Sequence, residues 1–591
     1  MPPSAESTLA ANLVRYNRFL LFVAGLGGLL YGIDVGIIGG ALPYLQATSH
    51  LTPAELSKIV AAVLLGSVFS TLFAGLLADW LGRRPLMILS GIAFTLSVPV
   101  IALSSGYTPL LLGRLLQGVS GGLVGVVVPL YLAECLSAKE RGRGTAVFQW
   151  LLTLGIFAAA LIGVYYSYHV ADIAKSGSAD ALYAAKNSAW RQIFWMSMPP
   201  GLIFVLGSFF VSESPRWLFR RGQRAQAEAA LLRSRTPEQT ALELSEMAQI
   251  AADAANKRTR SHGSDSLLQR RYVLPFLLAC VILACNTATG INSVIGFNTN
   301  ILLEGGLSDV LAHWGYLVFT GLNFLMTIVG MQLIDRKGRK FLFTIGTSGI
   351  IISMVVTGVL FHRTESHRVD VASAIQPLVD QDQHVLFRFD QAGAARLAAA
   401  APILANQSLT AQSLAIIYSY GPYSGTTTPV RLNDPAVEIH RDDAVPSGKV
   451  ESFFHNPFAN LDAGRTAPLI IQHAYLTPVP SALNGWLVAL FLYAFVAFYA
   501  MGPGVCVWLA LSELMPTRIR SNGMSIALVI NQFVSTALAA IFLPMVGTHG
   551  YSSMFFLFAG FTVVYFITVV FFLPETKGKT LEEIEKFFER A

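Results

Sequence analysis

Twelve long apolar runs divide this chain, and they constrain its fold more than any other feature of the sequence. They are 19 to 32 residues long, enough for an α-helix to cross the hydrocarbon core of a bilayer, which takes about 20 residues. Hydrophobic residues make up 53% of the 591 positions and charged residues only 13%, against roughly 25% charged in a typical soluble domain. An ordinary soluble enzyme and a disordered chain are thereby excluded. The sequence predicts an all-α membrane protein with twelve transmembrane helices, near 19–41, 57–78, 86–104, 109–133, 145–165, 190–211, 272–303, 312–334, 341–361, 484–510, 522–545 and 551–573.

Basic residues are distributed unevenly among the connecting segments. With both termini on one face, 28 of the 41 Lys and Arg residues lie in the termini and loops of that face, and 11 lie on the opposite face. Eight of those eleven belong to one long segment, to which the positive-inside rule hardly applies. We therefore expect a multi-pass protein of the cell membrane with both termini in the cytoplasm. The basic loops explain the net charge of +6, so no nucleic-acid partner is expected.

Short charged motifs occur twice in the chain, in the same order. The run Asp79–Arg84 (DWLGRR) corresponds to Asp335–Lys340 (DRKGRK). A parallel repeat of this kind predicts two six-helix, pseudo-symmetric halves that are related by an axis normal to the membrane. Two further pairs support it, namely Glu134, Arg141 and Gly144 with Glu513, Arg520 and Gly523, and Glu213-Ser214 with Glu575-Thr576.

The spacing of the repeated motifs reveals an insertion in the second half. Equivalent positions are 256 residues apart for the first motif and 379 for the second, a difference of about 123 residues. The segment 362–483 accounts for it. This segment is polar, has a net charge of −3, holds six of the eleven histidines and contains strand-like runs near 384–389 and 414–420, which favours a small folded subdomain over a flexible loop. Its histidines lack the spacing of metal ligands, so no metal site is expected.

The repeat and the insertion together predict the domain organisation. A capping-box pattern at Thr236-Pro237-Glu238-Gln239 predicts that an amphipathic helix begins there, between the halves. The expected domains are an N-terminal six-helix half at 1–211, a cytoplasmic helical linker at 212–270, a C-terminal half at 271–361 and 484–573, an extracytoplasmic insertion at 362–483, and a cytoplasmic tail at 574–591.

Several segments resemble the signature motifs of the sugar porter family of the major facilitator superfamily. The resemblance covers nearly the whole chain except 362–483, and the motifs occur in the order typical of the family. It implies a secondary transporter that moves its solute by alternating access and resembles the proton-coupled bacterial sugar symporters. The segments are Gly75–Arg84, Pro129–Glu134 with Arg141–Gly144, Glu213–Leu218, Asp335–Lys340 and Pro574–Gly578.

Charged residues recur at fixed spacing at the helix ends of the inner face. Ion pairs among them would join the two halves when that face is closed and separate when it opens. Each exposed pair contributes about 0–1 kcal/mol, yet a network can set the balance between two states. The alternative is that these residues only anchor helices at the membrane surface. The gate candidates are Asp79, Arg83, Arg84, Glu134, Arg141, Glu213, Arg216, Asp335, Arg339 and Glu513.

Isolated amides inside apolar helices are costly in a bilayer unless a solute or a neighbouring helix uses them. An amide both donates and accepts hydrogen bonds, which suits sugar hydroxyls. The family resemblance places Gln149, Asn292, Asn323 and Trp508 at sugar-contacting positions. Hydrogen bonding between helices stays an alternative for the amides. The expected solute site comprises Gln149, Asn286, Thr287, Asn292, Asn323, Trp508 and Asn531.

The sequence departs from the family pattern in the second half. Asn286 and Thr287 stand where sugar porters usually have two adjacent glutamines, and Ala500 replaces an acidic residue found in glucose carriers. Shorter polar groups imply a different hydroxyl pattern or a bulkier solute. The sequence therefore leaves the identity of the sugar open.

One carboxylate and one arginine lie inside apolar helices of the first half. Asp34 lies about fifteen residues into the first run, where a charge costs at least about 2.5–3.5 kcal/mol. Arg114 lies near the start of the fourth run, and only the carboxylate of such a pair can titrate. Proton-coupled sugar porters have such a pair at these positions, so the resemblance implies that Asp34 carries a proton. A static ion pair between the two helices is the alternative.

We therefore expect a proton symporter of a monosaccharide or related polyol, functional as a monomer in the lipid bilayer. A proton-independent facilitator of the same fold is the nearest alternative. A transporter-like nutrient sensor, a protein of a different class, is favoured only by the insertion. The sequence has no nucleotide-binding loop, so no enzymatic activity and no cofactor is expected.

Overall fold

The computed structural model describes residues 5–136, 141–260, 270–400, 412–515 without 433, 435, 450, 451, 453–455 and 457, residues 520–575, and residue 588. Within this part of the chain, twelve helices are long and apolar enough to cross a membrane, which confirms the prediction from the apolar runs. They are numbered span 1 to span 12 in chain order. The end of the bundle next to residues 366–481 is here named the insertion end, and the opposite end the terminal end.

In the first half, five of the six spans are uninterrupted. Span 6 is divided at Met196-Ser197, so that Pro199 and Pro200 lie in the first turn of its second helix, where proline is tolerated, and not in a helix interior. Gly82 alone joins spans 2 and 3, and its φ of 100° lies in the region that glycine adopts without strain. The helices are Ala5–Thr48, Pro53–Leu81, Arg83–Ala102, Tyr107–Cys135, Arg141–Ala174, and Ala179–Trp195 with Met198–Phe210.

In the second half, two spans are broken near the middle of the bundle. Span 7 is interrupted at Gly290, which has a φ of 87°, and span 10 at Gly502, which precedes Pro503. Gly338 joins spans 8 and 9 as Gly82 joins spans 2 and 3. The helices are Arg270–Ala288 with Ile291–Glu304, Asp309–Lys337, Arg339–Glu365, Ala482–Met501 with Pro503–Leu514, Arg520–His549, and Tyr551–Ile567, which continues as a π-helical turn, Thr568–Phe572.

Glycines allow neighbouring spans to pack closely within the first half. A Cβ atom at Gly32 of span 1 would collide with the carbonyl oxygen of Leu152 in span 5. A Cβ atom at Gly118 of span 4 would likewise collide with the backbone of Val63 in span 2. Close backbone approach at small residues is the usual way in which helices associate in a bilayer.

The two halves are closed against each other at the insertion end. In the described part of the chain, the hydrogen bonds between halves cluster there. The Tyr316 hydroxyl donates to the carbonyl oxygen of Gly36 at 2.7 Å, and the amide nitrogen of Leu543 donates to Ser57 Oγ at 2.9 Å. Spans 1 and 2 thereby contact spans 8 and 11.

The segment between spans 9 and 10 forms a small β-structure with its own core. The strands are β1 Val369–Asp370, β2 Val385–Phe387, β3 Gln412–Tyr420, β4 Tyr423–Thr426, β5 Val430–Arg431, β6 Val437–Ile439 and β7 Leu469–Pro478, and the short helices are Ala372–Ile375, Gln391–Ala400 and Leu461–Thr466. The main sheet has the order β1-β7-β3-β4 with β5 also paired to β3, and β2 pairs with β6. All pairings are antiparallel. Leu414 lies opposite Leu476, and both are fully buried.

Three helices connect the halves at the terminal end, Pro215–Arg220, Arg224–Leu232 and Pro237–Arg260. The third begins where the capping-box pattern predicts. Thr236 Oγ1 accepts from the amide of Gln239, and Gln239 Oε1 accepts from the amide of Thr236, both at 3.3 Å. Leu231 and Leu244 bury their side chains between the second and third helices.

Candidate functional site

Asp34 and Arg114 face each other inside the first half. Their closest atoms, Asp34 Oδ1 and Arg114 Nη1, are 3.8 Å apart, and neither side chain is more than 1% exposed. Arg114 directs its 2.6 Å hydrogen bond to Gln117 Oε1 instead. Within the described residues, neither carboxylate oxygen of Asp34 has a hydrogen-bond partner. The pair is therefore a loose contact, since a direct bond between these ions is about 2.7–2.9 Å long.

The surroundings of Asp34 connect it to the second half of the molecule. Gly121 allows span 4 to approach closely, because a Cβ atom there would lie 2.8 Å from Asp34 Oδ2. Tyr31, one helical turn before Asp34, also packs on Gly121. The Tyr31 hydroxyl lies close to Gln532 of span 11. A movement of span 11 can thus reach the carboxylate through one side chain.

Spans 7 and 11 share a line of polar side chains beside the break at Gly290. Thr287 Oγ1 donates to the carbonyl oxygen of Asn531 at 3.1 Å, and Asn292 Nδ2 donates to Ser535 Oγ at 2.7 Å. We name the set Asn286, Thr287, Asn292, Asn531 and Ser535 the polar seam. The glycine break interrupts the helix and allows residues on both sides of it to face span 11.

Two oxygen atoms of the polar seam are free to accept hydrogen bonds. Asn286 Nδ2 donates to the Tyr499 hydroxyl at 3.2 Å, but Asn286 Oδ1 and Asn531 Oδ1 are buried and lack partners within the described residues. Buried polar atoms are normally satisfied. These two amide oxygens are therefore available as acceptors for additional hydrogen-bond donors such as hydroxyl groups.

Three predicted solute residues lie on other spans. Gln149 is half-buried in span 5, Asn323 is buried in span 8, and Trp508 is 43% exposed in span 10. The structure thus brings four of the seven predicted residues together in the polar seam, namely Asn286, Thr287, Asn292 and Asn531.

Sequence reasoning did not include Tyr31, Tyr499 and Ser535 in the site. Tyrosines were counted as apolar residues of their spans, although each carries a hydroxyl at its tip. Spacing offers a signal for the serine, because Ser535 lies four residues after Asn531 and thus on the same helix face. The same rule places Tyr31 beside Asp34.

Three gate candidates of the first half, Asp79, Arg83 and Glu134, form an ion-pair cluster around the buried side chain of Arg83 at the terminal end. Arg83 is 1% exposed, and its guanidinium contacts Glu134 at 2.7 Å and Asp79 at 3.1 Å. Arg220, which was not among the candidates, contacts Glu134 at 3.3 Å and Asp79 at 3.6 Å. Ser214 Oγ also donates to Glu134, at 2.5 Å.

Glu213 and Glu575 occupy equivalent places in the two halves. Glu213 accepts hydrogen bonds from the amides of Arg83 and Arg84 at the start of span 3. Glu575 accepts from the amides of Arg339 and Lys340 at the start of span 9. A carboxylate at a helix N-terminus satisfies free amides and complements the helix dipole. Burial raises the pKa of Glu213, and these amides oppose that effect.

Among the described residues, no ion pair at the terminal end joins the first half to the second. In the second half, Arg339 Nη2 contacts Glu513 Oε1 at 2.9 Å, between spans 9 and 10. Arg84 donates to the carbonyl oxygens of Ser208 and Phe209 in span 6, and Arg216 is half-buried. The side chains of Arg141 and Asp335 lie outside the described residues.

The chain is similar to known proteins over almost its full length. A family model described as "Sugar (and other) transporter" matches residues 20–376 and 466–588. Probable inositol transporter 2 of Arabidopsis thaliana is 29% identical over 584 residues, which cover 97% of this chain and 91% of that protein. The proton myo-inositol cotransporter of Homo sapiens is 27% identical, with coverages of 96% and 81%. The glucose transporter GlcP of Staphylococcus epidermidis is 25% identical, and 97% of each chain is covered.

The architecture is also similar to solved structures. The inward-open conformation of the xylose transporter XylE from E. coli has a TM-score of 0.62 at 20% identity, with 96% of this chain and 98% of that chain covered. The crystal structure of a D-xylose–proton symporter has a TM-score of 0.61, also at 20% identity, with coverages of 96% and 100%. These likenesses show that the two six-helix halves have the major facilitator fold.

Proposed function

The chain belongs to the sugar transporter family of the major facilitator superfamily, and on that premise we propose that it carries a monosaccharide or a cyclic polyol together with a proton. It is a transporter and not an enzyme. The observation that carries the proposal is the fully buried, loosely paired carboxylate of Asp34. At such a buried position, the neutral, protonated carboxyl group costs less free energy than the ionised carboxylate.

The physical argument for coupling starts from the Asp34 carboxylate. Burying an ionised carboxylate without hydrogen bonds is costly, whereas the protonated form is neutral. Arg114 favours the ionised form, and its effect grows as the 3.8 Å separation shortens. A movement that separates the two groups therefore favours proton uptake, and one that brings them together favours release. Tyr31 and Gln532 connect such movements to span 11.

The polar seam supports a solute with several hydroxyl groups. Its amides donate and accept hydrogen bonds, and two amide oxygens are without partners. Inositol transporters are among the relatives that match the chain over its full length. Myo-inositol is a cyclohexane with a hydroxyl on every ring carbon, and the side chains of Asn286 and Thr287 are shorter than the paired glutamines usual in the family. We therefore place myo-inositol first among the solutes, ahead of glucose and xylose.

The orientation follows from the basic residues. We infer that the terminal end faces the cytoplasm and that the structure represents a state closed to the outside, since the halves contact each other at the insertion end. The membrane is expected to be the cell membrane. A cysteine at Asp462 in the insertion should react with an impermeant thiol reagent on intact cells, whereas one at Glu228 between the halves should not.

The terminal-end charges are proposed to act as a gate. In this state Arg83, Arg339 and their carboxylate partners pair within one half. Closure of the terminal end brings the two clusters towards each other, so that pairs across the halves can form. Arg339→Gln is then expected to slow solute exchange more than it weakens solute binding.

Uptake into proteoliposomes tests the proposed function. Purified protein is offered radiolabelled myo-inositol, glucose and xylose, with and without an imposed pH gradient. We expect accumulation above equilibrium for one of these solutes, which a protonophore abolishes. Uptake that never exceeds equilibrium under the gradient would favour the proton-independent facilitator. A protein that binds a solute but never exchanges it would favour the sensor.

A further inference from the structure

A buried histidine lies where the two halves meet at the insertion end. His313 of span 8 has no exposed surface. Its ring nitrogens both face backbone carbonyl oxygens, Nδ1 at 2.9 Å from that of Asp309 and Nε2 at 3.1 Å from that of Gly40 in span 1. The second contact crosses from one half to the other. Neither the solute site nor the Asp34 pair uses this side chain.

The two carbonyl contacts define the protonation state of the ring. A carbonyl oxygen only accepts hydrogen bonds, and a neutral imidazole has an N–H on one nitrogen alone. In either neutral tautomer, one nitrogen lone pair of His313 would point at a carbonyl oxygen. Rotation of the ring by 180° would place carbon atoms at both positions and lose both bonds. Only the doubly protonated imidazolium donates at both places.

A carboxylate compensates the charge of that imidazolium. Asp309 Oδ1 lies 3.4 Å from His313 Nδ1. Asp309 Oδ2 accepts a 2.8 Å hydrogen bond from the Tyr44 hydroxyl of span 1. The Tyr44 ring also stacks on the imidazole, with centroids 5.3 Å apart and planes 13° apart. The first half thus contributes a carbonyl oxygen, a hydroxyl and a ring face to one charged pair of the second half.

The neighbouring elements add one further charge to this group. Lys186 of span 6 interacts electrostatically with Asp309. Span 5 approaches with Gly163, where a Cβ atom would lie 3.3 Å from His313 Cδ2. Tyr168 of span 5 bonds Trp314, and the Tyr493 hydroxyl of span 10 lies beside Gly315. Among the described residues of these elements, the titratable groups that interact with the pair are therefore Tyr44 and Lys186, whereas Tyr168 and Tyr493 lie against the neighbouring Trp314 and Gly315.

We propose that His313 is a proton-binding site of the insertion end, which takes up a proton when the two halves close there and releases it when they open. Opening moves span 1 away from span 8 and removes the Gly40 and Tyr44 contacts, so water replaces the carbonyl that requires the second N–H. The inference uses the alternating-access part of the proposed function. It does not depend on proton coupling at Asp34.

The proposal fixes the sign of a pH effect. Because the closed state binds the proton more tightly, it is favoured as the pH falls, and the open state is favoured as the pH rises. Across the whole titration, the ratio of closed to open molecules changes about tenfold for each unit by which the pKa of His313 differs between the two states. An acidic outer side therefore promotes closure after a solute enters.

Distance measurements between spin labels test the proposal on the full chain in nanodiscs without solute. Lys175→Cys places a label on an exposed side chain of the first half, and Asp462→Cys places one on the insertion, which connects spans 9 and 10 of the second half. The native cysteines of the described chain are buried, and unsubstituted protein controls for their labelling. The Asp34→Asn background removes the carboxyl group that is proposed to couple the proton. The pH is varied from about 5 to about 8.5, across the range in which histidine titrates.

We expect the short-distance population to fall as the pH rises, and His313→Gln to remove this dependence. His169→Gln, which changes an exposed histidine of span 5, should keep it. Asp309→Asn should move the midpoint to lower pH by about one unit, because the carboxylate stabilises the imidazolium. If His313→Gln does not fold, the Asp309→Asn midpoint decides. A pH dependence that survives His313→Gln, or a midpoint unchanged in Asp309→Asn, overturns the proposal.

Discussion

Arg83 is a buried charge whose partners make it costly to replace. It is 1% exposed and contacts the buried Glu134 at 2.7 Å. Arg83→Gln leaves that carboxylate with the Ser214 hydroxyl and, as its cation, the more exposed Arg220, so we expect the free energy of unfolding to fall by about 3–5 kcal/mol. Lys175→Gln breaks an exposed ion pair with Asp172, and it should change the free energy of unfolding by less than about 1 kcal/mol. Denaturant unfolding in detergent measures both, and equal effects would contradict the buried cluster.

Gln149 and Asn292 are predicted to hydrogen-bond the solute. Each lost bond costs about 1–1.5 kcal/mol, so Gln149→Ala and Asn292→Ala should each raise the KM about tenfold while the melting temperature stays near wild type. Gln192→Ala, in an exposed amide bonded to Ser188, is the matched control. Unchanged transport in both variants would remove these residues from the site.

Ser535→Ala separates a solute role of Asn292 from a purely structural one. Asn292 Nδ2 donates to Ser535 Oγ at 2.7 Å. If this bond only holds span 7 against span 11, Ser535→Ala and Asn292→Ala should lower the melting temperature by similar amounts and leave the KM unchanged. A KM effect confined to Asn292→Ala supports solute contact.

The functional role of a single residue can be predicted from the sequence where a polar side chain interrupts an apolar helix. Asp34, Arg114 and the amides stand out because a bilayer penalises isolated polar groups, and the structure places Asp34 beside Arg114 and four solute candidates in one seam. Tyr31 and Tyr499 do not stand out, since a tyrosine fits an apolar helix by composition. Their roles depend on which span each hydroxyl faces, and this is decided by packing between distant segments.

At the scale of elements, Glu213 and Glu575 stabilise the starts of spans 3 and 9. Glu213→Ala and Glu575→Ala should each lower the free energy of unfolding by about 0.5–2 kcal/mol, the usual cost of losing a helix cap. Glu228→Ala, on the exposed face of the helix Arg224–Leu232, should have little effect. Fluorescence-detected melting compares the three, and a control as destabilised as the caps would refute this role.

Elements differ in how far local sequence determines them. The twelve spans and the breaks at Gly290 and Gly502 follow from apolar length, glycine and proline. The strands β2 and β3 also lie where the pattern predicts strands. The sequence pattern does not predict the strand β7, and its pairing with β3 joins residues 49 to 66 positions apart. Such pairing depends on the core of the insertion and not on a local pattern.

At the scale of the whole molecule, the insertion is predicted to be dispensable for transport. Spans 9 and 10 pack directly on each other at Gly349 and Phe498, and the insertion has its own core. Replacing residues 366–481 by a short Gly/Ser linker should leave a folded carrier with an altered affinity at most. Uptake and melting are measured on the same preparation. A folded variant that binds solute but does not transport it would show that the insertion takes part in the cycle.

The repeat predicts two halves but not their arrangement. Two states of a transporter differ by only a few kcal/mol, and the same helices form both. The closure at the insertion end depends on contacts such as Tyr316 with Gly36 and Ser57 with Leu543. These join residues of different halves that no repeated motif contains.

Asp34→Asn tests the central claim most directly, that this carboxyl couples a proton to solute movement. The substitution keeps the shape of the side chain but cannot titrate. Counterflow exchange and solute binding should persist, because neither needs a net proton cycle, whereas accumulation driven by a pH gradient should be lost. Asp172→Asn, in an exposed carboxylate, should accumulate solute like the wild type. If Asp34→Asn still concentrates its solute at the expense of the pH gradient, Asp34 is not the coupling group and the account is wrong.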